Sequence, residues 1–182
     1  KRQVVEARMA AMQAQVEPHF LFNTLAHVQA LQEIDPPQAG VMLERLISYL
    51  RAAMPTMRET TSTLGREIEV VRAYLDLLKI RMGDRLRSVI NVPVELNHIS
   101  LPPTMIATLV ENAIKHGLEP KVEGGSISVS ARREGDFVLL EVADTGMGLP
   151  AAQANRPGFG LTQVRERLAS SYGATATIDL VA

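Results

Sequence analysis

Four short stretches of this chain carry the side chains best suited to chemistry. In Glu17-Pro18-His19-Phe20-Leu21-Phe22-Asn23 a histidine follows a proline inside a run that otherwise reads as helix. A neutral imidazole is a competent nucleophile near neutral pH, so His19 is a candidate acceptor for a transferred group. Glu111-Asn112-Ala113-Ile114-Lys115-His116-Gly117 offers an oxygen at Asn112 suited to a hard cation such as Mg2+. Lys115 and His116 in the same stretch offer donors to phosphate. Asp144-Thr145-Gly146-Met147-Gly148 sets a carboxylate at a strand end, able to accept from an exocyclic amine, beside glycines that let the backbone approach a ligand. Gly158-Phe159-Gly160-Leu161 opens a helix whose free N–H groups suit an anion.

Each piece also has a plainer reading. A histidine beside aromatics suits a core, and Glu111 with Lys115, four apart, suits an ordinary surface ion pair. The glycine runs suit turns and loop-to-helix junctions. In this order and spacing, however, the last three converge on a nucleotide site, and His19 becomes the group that would receive a phosphoryl from ATP.

The elements that must position these residues follow from periodicity and punctuation. Val5, Met9, Met12 and Val16 form a heptad-like stripe on a polar helix. Pro18 removes a backbone donor and crowds the preceding turn, which predicts a kink. Beyond it, at about 100° per residue, Leu21, Leu25 and Val28 share a face, His19 lies nearly opposite, and Asn23 is about 40° from His19. Asp35-Pro36-Pro37 ends this helix, and a second carries Met42, Leu43, Leu46, Ile47 and Leu50 on its apolar face. Two helices cannot enclose a core alone, so the pattern predicts a homodimer in which two hairpins make a four-helix bundle. Met54-Pro55 and residues 58–63 read as a linker.

Thr63 is the candidate cap of a third helix, with Glu67 and Glu69 near its positive end, running to about Met82 and closed by Gly83-Asp84. Residues 86–92 read as a strand, and Thr104 to about Leu118 as a helix that Gly117 helps to stop. Residues 126–132 and 137–143 read as strands joined by a Gly135-Asp136 turn. A glycine-rich loop over 144–160 includes a candidate mobile lid at 149–157. A helix over 161–172 and a strand over Thr175–Leu180 follow. The expected fold is α+β: a helical hairpin in residues 1–57, then a domain in 58–182 whose helices cover one face of a mostly antiparallel sheet.

Composition sets the outer bounds. The chain is 46% hydrophobic and 21% charged, enough for a real core, and its net charge of −1 gives no electrostatic reason to expect nucleic-acid or lipid binding. It contains no cysteine, which removes disulfides, thiolate metal sites and cysteine nucleophiles. The four histidines, with no HxH or HxxxH spacing, argue against zinc. The start at Lys1, without an initiator methionine, reads as a piece cut from a longer protein.

Taken together, the three later stretches resemble the N, G1 and G2 boxes of the GHKL ATPase superfamily. With Pro18–Asn23 in front, residues from about 13 to 180 resemble the LytS-type sensor histidine kinases. The resemblance implies that the second part is a GHKL (Bergerat) α/β sandwich using ATP and Mg2+. It implies that His19 is the phosphoacceptor, that Asn112 binds Mg2+ and that Asp144 recognises adenine. Gly146, Gly148, Gly158 and Gly160 would frame the ATP lid, with Leu161 in the same segment. It further implies an absent N-terminal sensor, often membrane-embedded, which would make this a cytoplasmic piece of a membrane protein. The partner it implies is a response regulator, frequently with a LytTR DNA-binding domain. Ala26 and Gln163 stand where the family usually shows asparagine, and Ala107-Thr108 where Gln-Pro is common. The end at Ala182 falls before the last strand such domains usually carry, which predicts an exposed sheet edge.

Glu111, delivered by the ATP domain, is the candidate to orient or deprotonate His19, because Glu17 lies about 160° away round a continuous helix. Asn23, one turn after His19, is placed to position a water for dephosphorylating a regulator. Three other classes compete. A clamp-type ATPase would hydrolyse ATP without labelling His19 but would require a transducer domain. A serine kinase of the anti-sigma type would share the three boxes without the Pro18–Asn23 helix. A module that binds ATP and only dimerises is kept in play by positions 26 and 163.

Overall fold

The computed structural model describes residues 18–56, 59–148 and 159–181. The stripe at 5–16, Gly158 and the lid stretch 149–157 lie outside the described residues. Helix α1 (Pro18–Ile34) and helix α2 (Pro36–Thr56) pack as a hairpin. Pro18 is the first described residue of α1, so the kink expected there lies outside the described residues. Asp35 alone separates the helices; its N–H donates to the Leu31 carbonyl at 2.7 Å and its carboxylate accepts from the Gln38 N–H at 3.1 Å.

The buried face of α1 differs from the expected one. Phe20, Thr24 and Val28 point inward, while Leu25 is 42% exposed. Thr24 can be buried because its hydroxyl donates to the Phe20 carbonyl at 2.8 Å, so a polar residue fills a core position at no unmet hydrogen bond. On α2 the buried set is Ala39, Met42, Leu46, Tyr49 and Ala53, with Leu43 and Ile47 facing outward. Both helices are therefore apolar over a wider arc than the hairpin covers.

The hairpin's inner face continues into the second part of the chain. The rings of Phe20 on α1, Tyr49 on α2 and Tyr74 on helix α3 (Leu64–Met82) have centroids 5.1 to 5.8 Å apart. They belong to one buried apolar cluster that runs on through α3. Thr63 caps α3, its hydroxyl accepting from the Arg66 N–H at 3.4 Å, and Gly83 closes it at φ 55°. The linker is shorter than expected: α2 runs to Thr56, and strand β1 (Ser62–Thr63) already pairs antiparallel with strand β3 (Ser100–Leu101).

The main sheet has strand β2 (Leu86–Asn91), strand β4 (Gly125–Glu134) and strand β5 (Phe137–Asp144) in that spatial order. β4 and β5 are the expected antiparallel pair, turning at Gly135 with φ 60°. β2 and β4 run parallel, so the sheet is mixed rather than mostly antiparallel. Helix α4 (Met105–Asn112) lies in the connection between them, and such a crossover delivers a parallel neighbour. Helix α5 (Phe159–Tyr172) starts two residues before the expected position. The strand expected over Thr175–Leu180 is not formed; a 3-10 turn over Gly173–Thr175 leads into residues without ladder pairing, whose Ala176 and Ile178 still pack against the core.

Glu67 does more than face the positive end of its own helix. Only 1% exposed, it accepts from the backbone N–H groups of Thr104 at 2.8 Å and Ile106 at 3.2 Å, so α3 caps α4 from outside. Burial lifts its carboxyl above the ordinary value of 4.5, outweighing those two donors, the nearby Ser62 hydroxyl and the Arg167 charge. A carboxyl that holds its proton more tightly when folded stabilises the fold fully below about pH 4.5 and loses that contribution as pH rises through the lifted value. Urea denaturation from pH 4.5 to 7.5 should therefore show the parent losing stability relative to Glu67→Gln as pH rises. A relative gain with rising pH would mean that the donors and Arg167 outweigh burial.

Candidate functional site

Asn112 ends α4, and the chain then widens into a π-helical turn over Ala113–Leu118, which ends where the helix is expected to end. Such turns recur at functional sites because they re-aim the residues that follow. Lys115 and His116 are exposed and Gly117 is buried. A Cβ on Gly117 would lie 2.5 Å from Asp144 Oδ1, and one on Gly146 would lie 2.3 Å from the Gly117 carbonyl carbon. At 146 only glycine fits, because the clash is with backbone; at 117 a side chain would have to displace the Asp144 carboxylate. The Met147 N–H donates to the Gly117 carbonyl at 3.0 Å, and the Gly146 N–H to Asp144 Oδ1 at 2.8 Å. The first and second motifs are thus interlocked backbone to backbone.

The third motif closes the set. A Cβ on Gly160 would lie 2.8 Å from Asn112 Nδ2 and 3.2 Å from Thr108 Cγ2. Asn112, Gly117, Asp144, Gly146 and Gly160 therefore meet in one place, with the Asp144 carboxylate exposed and Asn112 half-buried. Gly148 has φ 73°, a conformation that favours glycine. Leu161 follows in the first turn of α5, half-buried. A surface depression lined by Lys79, Gly83, Asp84, Leu86 and Arg87 includes none of these residues.

Two residues that sequence reasoning passed over hold this region in place. Thr145 Oγ1 accepts from the Ser126 N–H at 2.9 Å, tying the motif to β4, and Lys121 Nζ donates to the Thr145 carbonyl at 2.7 Å. Neither spacing nor residue type flags them.

On the other side, His19 is exposed in the first turn of α1. Asn23 Nδ2 lies 3.3 Å from both ring nitrogens, so one turn of helix brings the two candidate residues together. Phe20, next in sequence, packs against Tyr49, and the Tyr49 hydroxyl hydrogen-bonds Glu111. Burial, and then the Glu111 carboxylate, push the Tyr49 hydroxyl far above its ordinary range, so it stays a neutral donor. Tyr49 escaped sequence reading because its spacing from Met42 and Leu46 is that of any core position.

Comparison with known proteins matches both parts. Residues 7–86 match the family described as Histidine kinase, and residues 100–181 the family described as Histidine kinase-, DNA gyrase B-, and HSP90-like ATPase. The sensor histidine kinase BtsS of Escherichia coli K12 is 37% identical over 173 residues, 95% of this chain and 30% of that protein. The sensor protein LytS of a Staphylococcus epidermidis strain is 30% identical over 186 residues, 96% of this chain and 32% of that protein. The chain belongs to the LytS-type histidine kinases. It spans about a third of the length of these relatives. Among solved structures, the histidine kinase domain of the Erythrobacter litoralis EL346 blue-light activated kinase aligns with TM-score 0.47 at 18% identity, covering 80% of each chain.

In this histidine kinase the departures from the family pattern have visible settings. Ala26 is exposed on α1 and Gln163 half-buried on α5. Thr108, where proline is common, gives its N–H to the Thr104 carbonyl at 3.0 Å, a bond proline could not make. The interlocked glycines make a direct test. Gly117→Ala should weaken binding of a fluorescent ATP analogue by about tenfold or more, because its methyl must displace the Asp144 carboxylate. Unchanged affinity would show that the carboxylate is not needed where it now stands.

Proposed function

We propose that this chain is the kinase core of a two-component sensor. It autophosphorylates His19 from ATP and passes the phosphoryl group to an aspartate of a response regulator. The observation that carries this reading is the convergence of Asn112, Gly117, Asp144, Gly146 and Gly160, in a histidine kinase whose α1 presents His19 to solvent. A neutral His19 nitrogen attacks the γ-phosphorus, the bond to the bridging oxygen breaks, ADP leaves, and the surplus imidazole proton passes to a base. Glu111 is that base or its positioning partner, released from Tyr49. Asp144 accepts from the adenine amino group, while Lys115 and His116 donate to phosphates and Gly146, Gly148, Gly158, Gly160 and Leu161 line the lid segment.

Asn112 suits a Mg2+ ion: it is half-buried beside the backbone that Gly160 leaves uncovered, and it offers a hard oxygen. The ion, when bound, supplies charge neutralisation on the phosphates. Residues 1–57 act as the dimerising, phosphoaccepting unit and 58–182 as the ATP-binding unit. A homodimer is supported by the apolar surface left outward on the hairpin, where Phe22 is 71% and Ile34 82% exposed, with Leu25, Leu43 and Ile47 beside them. Family membership supports a LytTR-type regulator and a membrane-embedded sensor upstream, with this part on the cytoplasmic side. No helix among the described residues is long and apolar enough to cross a membrane.

Incubation with γ-labelled ATP and Mg2+ tests the core of the proposal. The parent should acquire an acid-labile, base-stable label that both His19→Gln and Asn112→Ala lose. Nucleotide binding without label in the parent would reject the kinase reading in favour of an ATP-binding dimerisation module. Asn23→Ala should keep the label yet slow dephosphorylation of the regulator by about tenfold or more, since a water loses its positioning group. An unchanged dephosphorylation rate would remove Asn23 from that role.

A further inference from the structure

Helix α5 is pinned at a point the nucleotide motifs do not explain. Arg167, about two turns past Gly160, donates through one Nη to the Pro103 carbonyl and to Thr104 Oγ1, both at 2.7 Å. The same Thr104 gives its N–H to the buried Glu67 carboxylate. Thr104 stands at φ 61°, ψ 11°, and no other non-glycine residue among the described residues has positive φ. For a β-branched residue this conformation is strained and persists only where the surroundings over-determine it. Glu67 on α3 and Arg167 on α5 supply that determination from two sides.

The consequence is geometric. Thr104 stands at the N-cap of α4, and the helix ends at Asn112, about 12 Å away at 1.5 Å per residue. On α5, Gly160 to Arg167 spans about 10.5 Å by the same arithmetic. The two helices touch at both ends of these nearly equal spans: Arg167 on Thr104, and the bare Gly160 against the Asn112 amide. Fixing one end therefore fixes the other. An apolar contact would let α5 slide, whereas a guanidinium and a buried carboxylate on the same residue specify one register.

We propose that Glu67 and Arg167 are positioning residues for the nucleotide site, clamping Thr104 so that the glycine segment opening α5 is held against Asn112. The proposal rests on the nucleotide reading given above. Arg167→Met keeps the aliphatic stem but removes the donors; Arg167→Lys restores a charged donor. Arg167→Met should raise the Kd for a fluorescent ATP analogue, and the KM for ATP in autophosphorylation, by about tenfold, with kcat within about twofold. Arg167→Lys should recover to within about threefold of the parent, and thermal unfolding of each variant should show a folded protein at the assay temperature. A folded Arg167→Met that binds like the parent, or loses kcat at unchanged KM, overturns the proposal. Should Arg167→Met fail to fold, Thr104→Gly replaces it, because it relaxes the backbone and deletes the hydroxyl. A severalfold weaker affinity there supports the clamp, and parental affinity overturns it. A parent that binds no nucleotide overturns the reading beneath the proposal as well, which separates the two failures.

Discussion

A carboxylate taken out of water must find donors, and Glu67 finds them in the backbone at the start of α4, where three helices arrive together. α3 carries it, α4 offers the unsatisfied N–H groups of its first turn, and α5 sends Arg167 to the same strained threonine. None of these contacts is local in sequence. The buried charge therefore acts as a specification rather than a source of stability: apolar packing would hold the helices together, but the polar node decides how they cross. Asn112 and Gly160 sit at the far end of that crossing, so the placement of the candidate site follows from it.

The hairpin is joined to this body through aromatic rings rather than charges. Phe20, Tyr49 and Tyr74 come from three helices, and Tyr49 reaches on to Glu111, next to Asn112. His19 is thus one residue from a side chain that touches the nucleotide half of the molecule. Rings of this size pack with defined tilt and carry displacement better than flexible aliphatic chains.

The readable parts were those with local causes. Prolines and Asp35 marked the hairpin turn, Thr63 and Gly83 the ends of α3, and Gly135-Asp136 the turn between β4 and β5. The three glycine-containing motifs were legible because backbone approach demands glycine whatever surrounds it. What escaped reading has tertiary causes. β1 and β3 are two residues each, too short to show alternation. The parallel pairing of β2 with β4 depends on where the crossover lands. Glu67 and Arg167 look like any charges on a helix face until their neighbours are known, and Thr24 looks solvent-facing until its hydroxyl turns back on Phe20. Gly117 stands one residue before the helical segment ends at Leu118, as its type suggests, and it also leaves the space that the Asp144 carboxylate fills, which only the tertiary structure discloses.

The widened turn at Ala113–Leu118 changes how this stretch tolerates gaps. Surface loops absorb insertions and deletions with little penalty. Here the count of residues after Asn112 decides which one faces Asp144, and a residue with a Cβ would push the carboxylate aside. Adding a single residue would turn Gly117 by about a quarter turn round the helix axis and away from Asp144. Segment length, as much as residue identity, is written into the site.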